Sequence, residues 1–500
     1  MTEIFGLLSE LTLMTVWIAV AGVVVGIFFG ALPGFGGSAS LAIMLPVALV
    51  LSPLNAMVFL LAIYTGGHYG GGIPAVLMGV PGDASAAATV LDGFPMTQKG
   101  QASEALAFLA MGSAVASIVS VIAFLIFAPP LARFALSFGP PELFMLVVFG
   151  LTIIGSIEPS NMLKALLAGT LGLLIASVGV DPYLGNARMV ANIPQLYDGF
   201  PFIPSLLGLF CISQMLVLIT RDNLVSPGTD VVKPSLGRTL RGMVDCFNHW
   251  RAMAIGTLSG TFIGALPGAG ATIAAFIAYN VTKNTSSDPE SFGKGNPDGL
   301  IAPEAAQNAI VGGSMIPTFA LGIPGSGAAA VLMGVMMYMG LRPGPQLFVE
   351  QLPLIQLLCI YLLIASVAMI AIGAVAAGAF CRVTRVPLPV LVPLVVVAAS
   401  IGAYSTRGEV FDLGVMVAFG VLGYLLQRKK YPLSAVVLGL VLGPMAEQYF
   451  IQSLVMSNWD YTIFFTRPIT MVLWGLIAMS VVVSIILYRK VARGAVAQAQ

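Results

Sequence analysis

The sequence predicts an all-α polytopic membrane protein built from two inverted-topology repeats, with Pro-Gly-broken helices or re-entrant hairpins. Of its 500 residues 58% are hydrophobic and 9% are charged, and the mean hydropathy is +0.98. A soluble domain carries about 25% charged residues and could not hide so much apolar surface. Charge-free stretches at 11–30, 105–128, 352–380 and 471–488 are each long enough to cross a hydrocarbon core of about 30 Å. From such runs we expect about 11 to 13 membrane segments.

A glycine-proline motif occurs twice in apolar surroundings. "GALPGFGGSAS" begins at Gly30 and "GALPGAGATIA" begins at Gly264, with six of eleven positions identical. A second repeated motif, "GIPAVLMGVPGD" from Gly72 and "MIPTFALGIPGS" from Met315, has five of twelve positions identical. The four resulting breaks are Pro33-Gly34, Pro81-Gly82, Pro267-Gly268 and Pro324-Gly325.

Such breaks point to a binding site. Proline removes a backbone donor and glycine permits unusual backbone conformations, so both interrupt helices. In hydrocarbon the freed groups need a protein or water-filled surrounding, and half-helix N-termini attract anions. The alternative interpretation is close helix packing or a kink. The predicted substrate-binding residues are Gly34, Phe35, Gly36, Gly37, Ser38, Gly268, Ala269, Gly270, Thr272, Pro324, Gly325 and Ser326.

Polar side chains near the breaks are candidates for binding a coupling cation. Asp83 directly follows Pro81-Gly82, and an intramembrane carboxylate indicates function. An Asp after Pro-Gly also suits a helix N-cap, and both interpretations stay open. Asn308 is a weaker candidate, and the alternative interpretation is an interhelical hydrogen bond. The nearby His68 suits either proton coupling or a structural role. The coupling-ion candidates are therefore Pro81, Gly82, Asp83 and Asn308.

The distribution of Lys and Arg predicts the orientation. Residues 1–220 would form the first repeat, with its N-terminus outside, and residues 221–251 a basic cytoplasmic linker. Residues 252–450 would form the second repeat, and 451–500 an extra transmembrane helix with a cytoplasmic tail. This arrangement places 15 of the 22 basic residues in the cytoplasm, with Lys283 and Lys294 unassigned. The two repeats then run in opposite directions, as in many secondary transporters.

Several function classes are disfavoured. A net charge of +1 indicates no nucleic-acid partner, and the four cysteines lack metal-ligand or redox spacing. An intramembrane enzyme would need clustered acids or a nucleophile with a base, and the chain has only two histidines. We therefore expect no enzyme activity and no cofactor, apart from Na⁺ or H⁺ as a coupling ion.

The repeated motifs, together with "APEAAQNAIVGGSMIPTFALGIPGSGAAAVLMG" and "GLRPGPQLF", resemble the large membrane subunit of the tripartite tricarboxylate transporters. The resemblance covers nearly the whole chain. It implies a multi-pass protein of the bacterial inner membrane that takes up a tricarboxylate such as citrate, or a related carboxylate, in symport with sodium or protons. It also implies two partners, namely a periplasmic solute-binding protein and a small membrane subunit of about four helices. The alternative is a stand-alone organic-anion symporter. An elevator-like slide of the broken helices is favoured over rocking.

Overall fold

The computed structural model describes residues 11–32, 36–153, 162–181, 185–220, 235–266, 270–380 and 388–482. Within these ranges most residues are helical, and the only sheet pairs two short antiparallel strands, β1 (Gly179–Val180) and β2 (Ala187–Arg188). The predicted all-α class is confirmed.

The described part of the first half contains eight α-helices, with a π-helical turn at Leu207–Ile212 inside the last of them. They are α1 (Leu13–Gly30), α2 (Gly36–Leu49), α3 (Pro53–Met78), α4 (Ala87–Gln98), α5 (Ala102–Ala135), α6 (Pro140–Ile153), α7 (Met162–Ala176) and α8 (Phe202–Ile219).

The second half begins with a short helix inside the predicted linker, of which residues 221–234 lie outside the described part. Its helices are α9 (Leu236–Asp245), α10 (Trp250–Ala265), α11 (Gly270–Thr285), α12 (Pro297–Leu321), α13 (Gly327–Tyr338), α14 (Leu347–Glu350), α15 (Leu352–Phe380), α16 (Leu388–Arg407), α17 (Val410–Arg428), α18 (Leu433–Met456), α19 (Ile463–Thr466) and α20 (Pro468–Val482).

Six of the described helices are long and apolar enough to cross a membrane, which confirms the polytopic prediction. They lie in α1, α5, α8, α15, α17 and α18. Further apolar helices of 10–17 residues, such as Met162–Ala176 and Pro468–Val482, accompany them. Broken or partial spans of this length are tolerated where other protein surrounds them.

The core is built around α3 and α12, which are buried along most of their length. Each packs against the helix that carries the first Pro-Gly motif of its half, because glycines on that helix allow the backbones to approach. A Cβ atom on Gly22 of α1 would lie 2.7 Å from the Phe59 carbonyl oxygen, and one on Gly264 of α10 would lie 3.1 Å from that of Ile310. These glycines therefore serve close packing of the helices.

The two halves repeat their backbone features as well as their sequence. Both α3 and α12 end in a left-handed glycine, Gly79 (φ 67°) and Gly322 (φ 69°). Both α2 and α11 begin with a glycine of positive φ, Gly36 and Gly270. Glycine suits these positions because a Cβ atom disfavours this conformation. The opposite membrane orientation of the two repeats stays a prediction.

The predicted linker is anchored to the first half. Arg238 of α9 donates to both carboxylate oxygens of Glu104 at 2.9 Å, and also to the Gly100 carbonyl. Lys99 donates to the Lys294 carbonyl at 2.5 Å. Lys294, which the charge distribution left unassigned, therefore lies at the same end of the molecule as Lys99 and Arg238.

Candidate functional site

The turn from Gly79 to Asp83 joins α3 to α4 and carries the second Pro-Gly break. The Gly82 amide donates to the Gly71 carbonyl at 3.0 Å. A Cβ atom on Gly82 would lie 2.7 Å from the Gly71 Cα, so only glycine fits here without displacing the backbone. This close contact fixes the turn against α3 and determines where the next side chain, Asp83, is placed.

Asp83 is not used as a helix cap. It precedes a 3₁₀ turn (Ala84–Ala86) but makes no side-chain bond to the backbone amides there. Its Oδ2 accepts from the Ser85 hydroxyl at 3.1 Å and lies 3.9 Å from His68 Nδ1. A Cβ atom on Gly36 would lie 3.0 Å from its Oδ1. The carboxylate therefore lies beside the N-terminus of α2, whose dipole stabilises negative charge.

His68 lies on the buried side of this carboxylate. Its ring is 3% exposed, and neither nitrogen has a hydrogen-bond partner within the described part of the chain. Its ring centroid lies 4.9 Å from that of Tyr64. A structural histidine in a buried position is normally hydrogen-bonded, so the arrangement favours a role with Asp83.

The corresponding turn of the second half contacts Tyr64, the aromatic residue beside His68. The Ser326 hydroxyl lies 3.1 Å from the Tyr64 hydroxyl, and it accepts from the Ala329 amide as a helix N-cap. The Gly325 amide donates to Thr318 Oγ1 at 3.2 Å. Tyr64 and His68 therefore lie between the second break of each half.

A cavity of about 480 Å³ opens at Asp83. Asp83 and Lys430 are its charged residues, and Lys430 adopts a left-handed conformation (φ 60°) after α17. The lining residues are Gly36, Ala39, Pro81, Gly82, Asp83, Ala84, Phe210, Gln214, Gln427, Lys430, Tyr431, Pro432, Leu433 and Ser434. Amide donors, hydroxyls, a helix N-terminus and one lysine suit an organic anion. The carboxylate of Asp83 would repel such an anion unless a cation accompanies it.

The predicted substrate residues are only partly brought together. Gly36 lines the cavity, and Gly37 lies behind it against the Tyr64 ring. Pro324, Gly325 and Ser326 are buried at the second turn. Gly270 has open space around it, and Thr272 is partly exposed on α11. Gly34, Phe35, Gly268 and Ala269 lie outside the described residues, as does the Ser38 side chain, so their roles stay predictions.

Among the coupling-ion candidates, Asn308 is separated from the Asp83 group. Its amide donates to Ser113 at 2.8 Å and to Glu304 at 3.5 Å. Glu304 is fully buried, and the sequence interpretation did not select it. The available signal was a carboxylate within a membrane-length helix, with Gln307 and Asn308 three and four residues later on the same helical face.

Asp92 of α4 is another carboxylate that is not among the predicted site residues. It is fully buried and accepts from Tyr279 and from the backbone amides of Gly293, Gly295 and Asn296 at 2.8–3.0 Å. Four donors satisfy this carboxylate, so Asp92 is a structural residue that holds the loop before α12.

The chain is similar to known protein sequences along most of its length. A sequence model described as the tripartite tricarboxylate transporter TctA family matches residues 16–438. An uncharacterized 52.8 kDa protein in the TAR-I ttuC' 3' region of Agrobacterium vitis is 35% identical over 455 residues, which is 91% of this chain and 89% of that protein. An uncharacterized protein in the TAR-II ttuC' 3' region of Agrobacterium vitis is 34% identical over 227 residues, which is 45% of this chain and 94% of that protein. No solved structure matches the chain. The chain therefore belongs to the tripartite tricarboxylate transporter TctA family.

Proposed function

We propose that this protein is the large permease subunit of a binding-protein-dependent tripartite transporter of the bacterial inner membrane. It takes up a tricarboxylate or related carboxylate in symport with sodium ions or protons. A periplasmic solute-binding protein delivers the substrate, and a small membrane subunit completes the complex. The N-terminus lies in the periplasm and the C-terminus in the cytoplasm.

The observation that carries the proposal is the cavity at the Pro-Gly turn of Asp83. A helix N-terminus, amide side chains and Lys430 present positive potential to an anion there, while Asp83 presents the opposite charge. A carboxylate substrate and Asp83 can occupy the same cavity when a cation lies between them. Substrate and cation then bind cooperatively, which is the requirement for symport.

Transport needs the cavity to open alternately to the two sides of the membrane. The broken helices α2 and α11 pack against the turns and helices that follow the second breaks, so these elements can move as one body that carries the substrate. Different affinities of substrate plus cation for the two states bias that movement. Trapping the transporter facing each way distinguishes sliding from rocking, because only sliding changes the depth of the site.

The test is uptake of radiolabelled citrate and other carboxylates into proteoliposomes that contain this chain and its small membrane partner. Uptake is measured with and without the binding protein, under imposed sodium or proton gradients. We expect accumulation that requires the binding protein and one of the two gradients. Accumulation without the binding protein indicates a stand-alone symporter instead, and absence of uptake under every gradient and carboxylate contradicts the proposal.

A further inference from the structure

Glu304 of α12 lies at the centre of a buried polar cluster formed by three helices. Its Oε1 accepts from the Ser113 hydroxyl of α5 at 2.8 Å, and its Oε2 accepts from the Thr89 hydroxyl of α4 at 3.1 Å. The Gln307 and Asn308 amides donate to the same carboxylate at 3.3 and 3.5 Å. All five residues are fully buried, so the cluster is shielded from solvent.

All the donor hydrogens of the cluster are engaged, and two of its acceptor oxygens are left over. Each amide nitrogen is already engaged, since Gln307 Nε2 also donates to Thr89 at 3.0 Å and Asn308 Nδ2 to Ser113 at 2.8 Å. The carbonyl oxygens Gln307 Oε1 and Asn308 Oδ1 are buried without a hydrogen-bond partner. Buried polar atoms are rarely left unpaired, and an unpaired one in a native structure points to a missing ion, proton or water.

Among the residues that the structure describes, no cationic side chain lies within ion-pair distance of Glu304. The helices packed against α12 carry other ionisable side chains, but these have other partners or lie at helix ends. The pairs are His68 beside Asp83, Asp92 with Tyr279, Glu104 with Arg238, and Arg251 over Trp250. An isolated carboxylate in a low-dielectric interior is costly unless a positive charge accompanies it.

The cluster is connected to the cavity through two elements. On α3, a Cβ atom on Gly71 would lie 3.5 Å from the Asp83 Cβ, and one on the adjacent Gly72 would lie 3.0 Å from Glu304 Oε2. The two carboxylates therefore flank the same stretch of α3. In addition, Thr89 lies six residues after Asp83 on the segment that follows the Pro-Gly turn. A change of charge or position at Glu304 can therefore alter the cavity through α3 and through the segment from Asp83 to Thr89.

We propose that Glu304, with Gln307 Oε1, Asn308 Oδ1 and the hydroxyls of Thr89 and Ser113, forms a buried site for a second coupling cation, in addition to the cation beside Asp83 in the cavity. This inference rests on the proposed function. The ligand class is a monovalent cation. Carboxylate, amide and hydroxyl oxygens are the ligands that a hard ion such as Na⁺ prefers. A proton on Glu304 supplies the same positive charge, and it then donates to one of the amide oxygens after that amide rotates.

A first experiment separates coupling from substrate binding. Glu304→Gln is reconstituted with the small membrane partner. Uptake driven by a cation gradient is compared with substrate exchange at equal concentrations on both sides, which needs no gradient. We expect gradient-driven accumulation to fall at least about tenfold while exchange continues. Accumulation at the native level in Glu304→Gln overturns the proposal.

A second experiment measures the cation directly and does not depend on transport. In an Asp83→Asn background, which removes the carboxylate of the cavity, ²²Na⁺ binding is compared for Glu304→Gln and for Glu104→Gln. Glu104 belongs to a partly exposed ion pair with Arg238, so it provides a matched change of charge. Sodium binding that Glu304→Gln abolishes and Glu104→Gln retains supports a sodium site. Asn308→Ala, which keeps the charge, is expected to weaken that binding without unfolding the protein.

The proton form is tested by infrared difference spectroscopy of the same variants as the pH changes. A carboxylic-acid carbonyl band that disappears in Glu304→Gln and persists in Glu104→Gln supports a protonation site. The site is overturned when neither sodium binding nor such a band depends on Glu304. Sodium binding or a carbonyl band can depend on Glu304 even if the complex transports no carboxylate. That result supports this site and contradicts the proposed function.

Discussion

The second Pro-Gly turns of the two halves have the same backbone and different side chains. In both, a helix ends in a left-handed glycine, Gly79 or Gly322, and the glycine of the Pro-Gly pair lies against neighbouring backbone. The residue that follows is Asp83 in one half and Ser326 in the other. The same backbone conformation therefore carries an acidic side chain in one half and a hydroxyl side chain in the other.

Ser326 uses its side chain to stabilise the turn, whereas Asp83 does not. Ser326 is 6% exposed and caps α13 through the Ala329 amide. The Asp83 side chain is 23% exposed, makes no cap bond and lines the cavity. Helix capping explains why a serine occupies position 326, but it does not explain the aspartate at position 83. The comparison teaches that the side chain after the break stabilises the turn in the second half, and supplies the carboxylate of the cavity in the first half.

The largest effect is expected from Asp83→Asn. This change keeps the size of the side chain and removes the charge, so we expect kcat/KM for carboxylate uptake to fall about 100-fold. The melting temperature of the purified protein should change little, because no helix cap is lost. The control is Ser326→Asn, which alters the capping residue of the other turn. Uptake within about twofold of native for Asp83→Asn would falsify its role in the site.

Matched substitutions of the two Pro-Gly glycines test whether the turns share their backbone packing. A Cβ atom on Gly82 would lie 2.7 Å from the Gly71 Cα, and one on Gly325 would lie 2.7 Å from the Gly264 carbonyl oxygen. Gly82→Ala and Gly325→Ala should each destabilise the protein by about 1–3 kcal/mol, because backbone atoms cannot move aside. Thermal unfolding in detergent measures this. Gly237→Ala has open space and should not lower the melting temperature. Loss of stability in only one of the two turns contradicts shared packing.

Lys430 tests the electrostatic difference between the two turns, because it lines the cavity at Asp83. Lys430→Asn removes the charge and suits the left-handed backbone. We expect the KM for the carboxylate to rise about tenfold while kcat changes little, as for a lost binding contact. Initial uptake rates over a range of substrate concentrations give both constants. Lys429→Asn alters a neighbouring lysine that does not line this cavity. Equal effects of the two changes would show that only the overall charge of this surface matters.

The smallest effect on transport is expected from Ser326→Ala. It removes the cap of α13 and should cost about 1 kcal/mol of stability, with kcat/KM for uptake nearly unchanged. Ser326→Thr keeps a hydroxyl and should restore most of that stability. Both variants are compared by thermal unfolding and by uptake. A loss of transport as large as that of Asp83→Asn would mean that both turns contribute directly to the site.

The sequence by itself determined the class of protein and the position of the breaks. Hydropathy and Pro-Gly pairs are local properties, since each acts on the backbone within a few residues regardless of the rest of the chain. The selection of Asp83 followed from the same local reasoning, because a carboxylate beside a break in apolar sequence needs a partner wherever it lies.

Only the tertiary structure decided which groups act together. Glu304 gains Thr89 and Ser113 from 215 and 191 residues away, and Asp92 gains its amides from a loop more than 200 residues later. Lys430 and Gln427 approach Asp83 from the other half of the chain. Contacts of this kind depend on how the helices pack. Local patterns in a single sequence do not show which distant helices will be neighbours. Hydropathy and backbone breaks thus predicted a transporter with a binding site, and helix packing separated the cavity at Asp83 from the buried carboxylate of Glu304.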